Sequence, residues 1–141
     1  MKLILYSDGG AKRNPGPAAI GVVIYNSKGK ILKEISKYIG QATNNQAEYQ
    51  ALIVGLKEAK KLKANELKCF LDSKLIVQQV NCKYKIKDKN LSSLFIKVWN
   101  LLQSFKKVEI CYISRKKNKK ADNLVKLAFK KFLQKDKNLL L

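Results

Sequence analysis

The chain contains no histidine. That absence excludes a Ser-His-Asp or Cys-His triad, a histidine-ligated zinc and any imidazole general base. Chemistry here must rest on carboxylates, lysines, thiols or metals. Cysteine is scarce too: Cys69, Cys82 and Cys111 are odd in number and lack Cys-x-x-Cys spacing. They form neither a zinc motif nor a disulfide framework. Cys69 and Cys111 sit inside apolar runs and read as small buried hydrophobes. No apolar run is long enough to span a bilayer. The start, "MKLILYSDGG", has neither the apolar length nor the cleavage site of a secretory leader. A soluble, cytoplasmic protein with no membrane partner is expected. Acidic residues are the third scarcity: 10 Asp and Glu stand against 30 Lys and Arg, a net charge of +20. Such a field attracts polyanions. Nucleic acid is the leading partner on this ground, with an anionic membrane surface behind it. Surface decoration by lysine, without any partner, is the alternative.

What is present suits one domain. A length of 141 residues with 46% hydrophobic content supports a single packed core. Lys2–Ser7 and Ala18–Tyr25 read as strands. "NSKGK" (26–30) reads as a hairpin turn with Gly29 free to take positive φ. Ile31–Ile39 alternates as a third strand. Thr43 and Gln46 fit a capping box before a long helix, in which Ala51, Leu52, Gly55, Leu56, Ala59 and Leu62 keep helical spacing. "LKCFLD" (67–72) is a short strand, and Ser73–Asn81 a short helix. Leu91, Leu94, Phe95, Val98, Leu101, Leu102 and Phe105 mark a further helix flanked by Trp99. Lys107–Ser114 is a fifth strand, and Ala121, Leu124, Val125, Ala128 and Phe132 mark a last helix. The domain is expected over residues 1–135, with 136–141 a short tail. Three antiparallel strands, then two joined through helices, predict an α/β fold. Its five-stranded mixed sheet carries helices on its faces, with strands four and five parallel to the first.

The stretch "ILYSDGGAKRNPGPAAIGVVIY" ends its first apolar run on Asp8, Gly9 and Gly10. A tight turn capped by Asp8 would explain it locally. The other acids suggest more. Asp72 ends the fourth strand, Glu48 lies in the first turns of the first long helix, and Asp122 lies in the first turn of the last helix. Parallel neighbours would put Asp8 and Asp72 at one carboxyl edge, where open α/β sheets bind ligands. Helix starts tolerate Glu48 and Asp122 through the dipole and free N–H groups. Four clustered carboxylates repel each other, and a divalent cation such as Mg²⁺ relieves the repulsion. Two strand caps and two helix-start acids with no common role are the alternative. A metal ligand at Asp8 would project from a rigid element, and Gly9 and Gly10 would leave room for a substrate backbone.

These residues carry a resemblance. "SDGGAKRNPGPAAIGVVI", "TNNQAEYQALIVGL", "LDSKLIVQQVN" and "NKKADNLVKLA" are weak singly; together, in order and at family-like spacing, they are specific. From Leu3 to about Phe132 the chain resembles type 1 ribonuclease H in its compact archaeal and bacterial form. The resemblance implies the ribonuclease H fold and endonucleolytic cleavage of the RNA strand of RNA–DNA hybrids, giving 5′-phosphate and 3′-hydroxyl ends. It implies a metal quartet at Asp8, Glu48, Asp72 and Asp122, holding two Mg²⁺ ions about 3.5–4 Å apart, with Mn²⁺ a substitute. Asp8 would bridge both ions, and Asp122 would orient the one that activates water. Asn14, Thr43, Asn44, Asn45 and Ser73 match positions near the hybrid; Asn44 and Asn45 would reach the minor groove, and Thr43 a DNA-strand phosphate. Glu48 and the backbone at Gly9 and Gly10 would read the 2′-hydroxyls. A monomer acting on hybrid is implied, with double-stranded RNA left open as a further substrate.

The sequence departs from the family where relatives carry a histidine before the last acid. Here Tyr112 and Ser114 replace the usual types, while Arg115 and Asn118 are kept as substrate contacts. The run "SRKKNKKAD" places Arg115, Lys116, Lys117, Lys119 and Lys120 just before Asp122. It is expected either to grip backbone phosphates or to stand as a solvated basic loop. A non-catalytic nucleic-acid-binding module on the same fold is the competing reading of the whole chain.

Overall fold

A computed structural model describes residues 1–82, 86 and 88–139. The elements follow as β1 (Lys2–Ala11), β2 (Gly16–Asn26), β3 (Ile31–Ala42), α1 (Asn44–Lys61), β4 (Glu66–Leu71), α2 (Lys74–Cys82) and α3 (Lys89–Leu102). Then come β5 (Lys107–Tyr112), a 3₁₀ turn over Arg115–Asn118, and α4 (Lys119–Leu139). The five strands lie in the order β3-β2-β1-β4-β5. β1, β2 and β3 pair antiparallel, and β4 and β5 join them in parallel. The sequence pattern predicts this arrangement of strand directions.

Local chemistry sets the ends of the elements. Gly29 takes φ +82° in the β2–β3 turn, and Asn26 Oδ1 closes that turn by accepting from the N–H groups of Lys28 and Lys30 at 2.9 Å each. Thr43 and Gln46 form the reciprocal capping box of α1, satisfying two N–H groups at a helix start. Asp88 caps α3 by accepting from Asn90 N–H at 2.8 Å.

The main core lies between one sheet face and α1, α2 and α3. Leu3, Leu5, Val22, Ile24, Leu67, Cys69, Leu71 and Ile110 project from the strands onto Leu52, Leu56, Ile76 and Val98. Gly55 is small because Leu5 packs into its place: a Cβ there would press on the Leu5 methyls. The opposite sheet face carries α4, whose Val125, Ala128 and Phe129 cluster with Ala19. Ser36 Oγ donates to the Leu124 carbonyl at 2.5 Å and ties β3 to this helix.

Three expectations are modified. β1 does not stop at Asp8 but continues to Ala11, because β2 pairs with it as far as Ala11↔Ala18. α4 runs to Leu139, so residues 136–139 of the expected tail extend a helix; residues 140–141 lie outside the described residues. Cys69 is fully buried, but Cys111 is only half-buried, since alternation on β5 turns it to the other sheet face.

Candidate active site

Asp8 occupies a fork in the sheet. β1 pairs with β4 only as far as Ser7↔Leu71, while its pairing with β2 continues. One residue past the end of β4, the chain turns away at Asp72. The two carboxylates therefore leave adjacent parallel strands at the same edge. Glu48 reaches them from α1, which lies close over β1. Gly9 allows that approach: a Cβ there would collide with the Ala47 carbonyl. Gly9 thus serves helix packing, while its backbone also borders the cleft. At Gly10 the space is open, with nothing within 4 Å of a Cβ built there.

Ligand oxygens of Asp8, Glu48 and Asp72 lie within 4.8 Å of one another. Asp8 and Glu48 are buried, at 6% and 7% exposure. Burial first, and the charge of Asp72 second, push the Asp8 carboxyl up to about 7. Burial, then Asp8, then Asp72 hold Glu48 well above the usual carboxylate range. Among the described residues no lysine or arginine pairs with these three acids; the ion pairs lie elsewhere. Glu48 Oε2 is buried without a hydrogen-bond partner. Three oxygen donors, one of them orphaned and none neutralised, fit a hard divalent cation.

Asp122 stands slightly apart. It borders the same cleft and raises the Asp8 carboxyl further, but it lies outside the tight triad and pairs with Lys126 at 3.0 Å, one turn along α4. Gly21 brings α4 this close to the sheet, since a Cβ on β2 would collide with the Ala121 carbonyl and press on Leu124. A glycine inside an apolar strand run was the available signal for this contact.

The triad opens into a cleft of about 540 Å³, bordered also by Gly10, Asn44, Asn45, Ser73 and Arg115. Asn45 and Arg115 have no side-chain partner among the described residues and are open to ligand. Asn44 is partly engaged: its Oδ1 accepts from Ala11 N–H at 2.8 Å, while its own N–H donates to Asn14 Oδ1 at 3.0 Å. Asn14 and Thr43 therefore brace the cleft rim at the start of α1 rather than line the cleft. Ser73 Oγ accepts from Ile76 N–H at 3.3 Å at the start of α2.

Asn118 requires a correction. It is 1% exposed, and its amide donates to the Ser7 carbonyl at 2.9 Å and to Asp72 Oδ2 at 2.8 Å. It is a positioning residue behind Asp72, not a substrate contact. The basic run also divides. Arg115 borders the acidic cleft, whereas Lys117 and Lys120 line a separate groove with Ile4, Tyr6 and Tyr25. Lys120 further pairs with Glu34 at 3.4 Å. A common grip by all five cations on one duplex backbone does not match this division.

Comparison with known proteins agrees with the geometry. A family model described as "Reverse transcriptase-like" matches residues 6–128. The bifunctional protein Rv2228c of Mycobacterium tuberculosis is 39% identical over 125 residues, which are 88% of this chain and 34% of that protein. Ribonuclease HI of Halobacterium salinarum is 37% identical over 119 residues, 84% of this chain and 60% of that one. The chain thus spans about a third and three fifths of these two relatives. The solved structure of LC11-RNase H1 in complex with an RNA/DNA hybrid superposes with TM-score 0.87 at 42% identity, covering 93% of this chain and 99% of that one. A family model over residues 6–128, with relatives at 37–42% identity over most of the chain, places the chain in the type 1 ribonuclease H family.

Proposed function

We propose that this chain hydrolyses the RNA strand of RNA–DNA hybrids, using two divalent metal ions, Mg²⁺ by preference. The observation that carries this reading is the trio of un-neutralised carboxylates, within 4.8 Å of one another, on the floor of an open cleft in a +20 chain. Such a protein draws in a polyanion, yet presents a negative centre where the polyanion must react. Metal ions held by Asp8, Glu48, Asp72 and Asp122 would reconcile the two, polarising the scissile phosphate and activating water.

The chain's own residues do the rest. Asp8 and Asp72 project from strand ends whose backbone is fixed by sheet pairing, so the ligand oxygens are pre-positioned. Asn118 orients Asp72 from behind. Arg115 offers a planar guanidinium that holds a phosphate in two bonds. Asn45, and the amide nitrogen of Asn44, face the duplex as uncharged groups suited to a minor groove. At Gly10 a sugar approaches bare backbone, where a 2′-hydroxyl separates RNA from DNA. Most such contacts carry little base information, so cleavage is expected to tolerate any sequence.

The test is digestion of end-labelled RNA–DNA, RNA–RNA and DNA–DNA duplexes with Mg²⁺, Mn²⁺ or EDTA. Metal-dependent cuts in the RNA of the hybrid, ending in 3′-hydroxyl, are expected. Hybrid binding without cleavage under any metal would instead support a non-catalytic binding module. The Asp72→Asn variant should lose cleavage and keep hybrid binding.

A further inference from the structure

The sheet face opposite α1 is only half covered. α4 packs on β3, β2 and β1, while over β4 and β5 no described helix lies on that side. Alternation brings Ile4 and Tyr6 of β1, Tyr25 of β2, Lys68 and Phe70 of β4, and Cys111 of β5 onto this face. All are partly exposed. The aromatics form a continuous platform: Tyr25 meets Tyr6 edge to face at 5.7 Å, and Tyr6 stacks on Phe70 at 5.0 Å between ring centroids. Lys68 Nζ lies 5.5 Å from the Phe70 ring centre. A groove of about 330 Å³ runs over Ile4, Tyr6 and Tyr25 to a wall made by Lys117 and Lys120.

Two features suit a nucleic acid strand. Adjacent aromatic rings edged by lysines are what unpaired bases and their phosphates require. The groove is separate from the cleft but adjoins it through one 3₁₀ turn, which carries Arg115 on the cleft side and Lys117 on the groove side and buries Asn118. The acids on this side pair with some of the lysines but not with all of them. Glu34 pairs with Lys120 at 3.4 Å, and Glu109 with Lys68 and Lys107 at 3.9 and 3.8 Å, while Lys117 has no acidic partner among the described residues.

We propose that this uncovered face binds single-stranded nucleic acid, its bases on the Tyr25–Tyr6–Phe70 platform and its phosphates along Lys117 and Lys120. A duplex has no unstacked bases to offer the rings, so the face takes single strands, such as the flank of a hybrid running out past Arg115. Binding here needs neither metal nor cleavage and does not rest on the proposed nuclease activity.

The experiment is fluorescence anisotropy of a labelled oligothymidylate of about 12 nucleotides with the full chain in EDTA. It is paired with photocrosslinking of a 4-thiothymidine version. Crosslinks are expected on Tyr6, Tyr25 or Phe70. Lys117→Ala with Lys120→Ala should weaken binding by about tenfold. The control pair Lys57→Ala with Lys60→Ala, on the outer side of α1, removes the same charge and should change it less than about twofold. Tyr25→Leu, which keeps the charge, should cost about fivefold or more. Equal losses in the two lysine pairs would reduce the effect to the general field of a basic protein and overturn the proposal. So would crosslinks confined to the acidic cleft. Absence of oligonucleotide binding with self-association through this face, reversed by Tyr25→Leu, would assign it to a second copy instead.

Discussion

Asn118 holds Asp72 from behind, with its amide nitrogen 2.8 Å from Asp72 Oδ2 and 2.9 Å from the Ser7 carbonyl. One buried amide thereby joins the 3₁₀ turn, the end of β1 and a candidate metal ligand. Asn118→Ala should lower kcat by about 10- to 100-fold, the usual cost of removing a group that orients a metal ligand. It should also destabilise the fold by about 1–3 kcal/mol through the stranded Ser7 carbonyl. Steady-state kinetics beside thermal melts separate the two effects. A variant that melts early but turns over at the normal rate would show Asn118 to be structural only.

The acidic triad should make metal-free stability depend on pH. Asp8, with its carboxyl raised to about 7, and Glu48, also held well above its ordinary value, bind protons more tightly folded than unfolded. The stabilising contribution of Asp8 is fully present below pH about 4 and is lost as pH rises through 7, and Glu48 acts in the same direction. For Asp8 alone the loss is at most on the order of 4 kcal/mol. In EDTA, the wild-type Tm should therefore fall between pH 5.5 and 8 by more than that of Asp8→Asn, and Mg²⁺ should restore it at pH 8. Parallel curves for the two proteins would remove the electrostatic account.

Neighbouring glycines should behave differently. Gly9→Ala sets a methyl against the Ala47 carbonyl and pushes α1 off β1, which should cost about 1–3 kcal/mol or more. Gly10→Ala meets nothing within 4 Å and should melt normally. If a sugar approaches that backbone, Gly10→Ala should raise KM for hybrid. Melting curves and hybrid kinetics for the pair decide this, and a normal KM for Gly10→Ala would remove Gly10 from the substrate path.

Lys126 pairs with Asp122, a proposed metal ligand. Their 3.0 Å contact is an i, i+4 pair between an exposed lysine and a partly buried carboxylate, worth on the order of 0.3–0.5 kcal/mol. Lys126→Ala should leave Tm nearly unchanged while lowering the Mg²⁺ concentration for half-maximal cleavage, because the carboxylate no longer carries a tethered cation. A higher Mg²⁺ requirement would mean that Lys126 assists the site.

The elements and the acids were legible because their signals are local. Apolar alternation in Lys2–Ser7 and Ala18–Tyr25, the Thr43–Gln46 box and the stripe from Leu91 to Phe105 each depend on neighbours along the chain. The pairing of Asp8 with Asp72 followed from one further rule, the right-handed crossover that makes β1 and β4 parallel. What the linear order could not reveal depends on distance across the fold. Gly9 and Gly21 look alike as strand glycines, yet one admits α1 and the other admits α4, and only packed backbones distinguish them from the open Gly10. Asn118 carries no mark that it is buried. Its role came from the 3₁₀ turn that tucks it beneath Asp72 and, by the same rotation, sends Arg115 to the cleft and Lys117 to the aromatic face. The sequence by itself determined which residues carry charge and where strands and helices begin. The tertiary structure decided which charges meet, because side-chain direction over a short turn changes with every residue, and the linear spacing of a basic run does not record it.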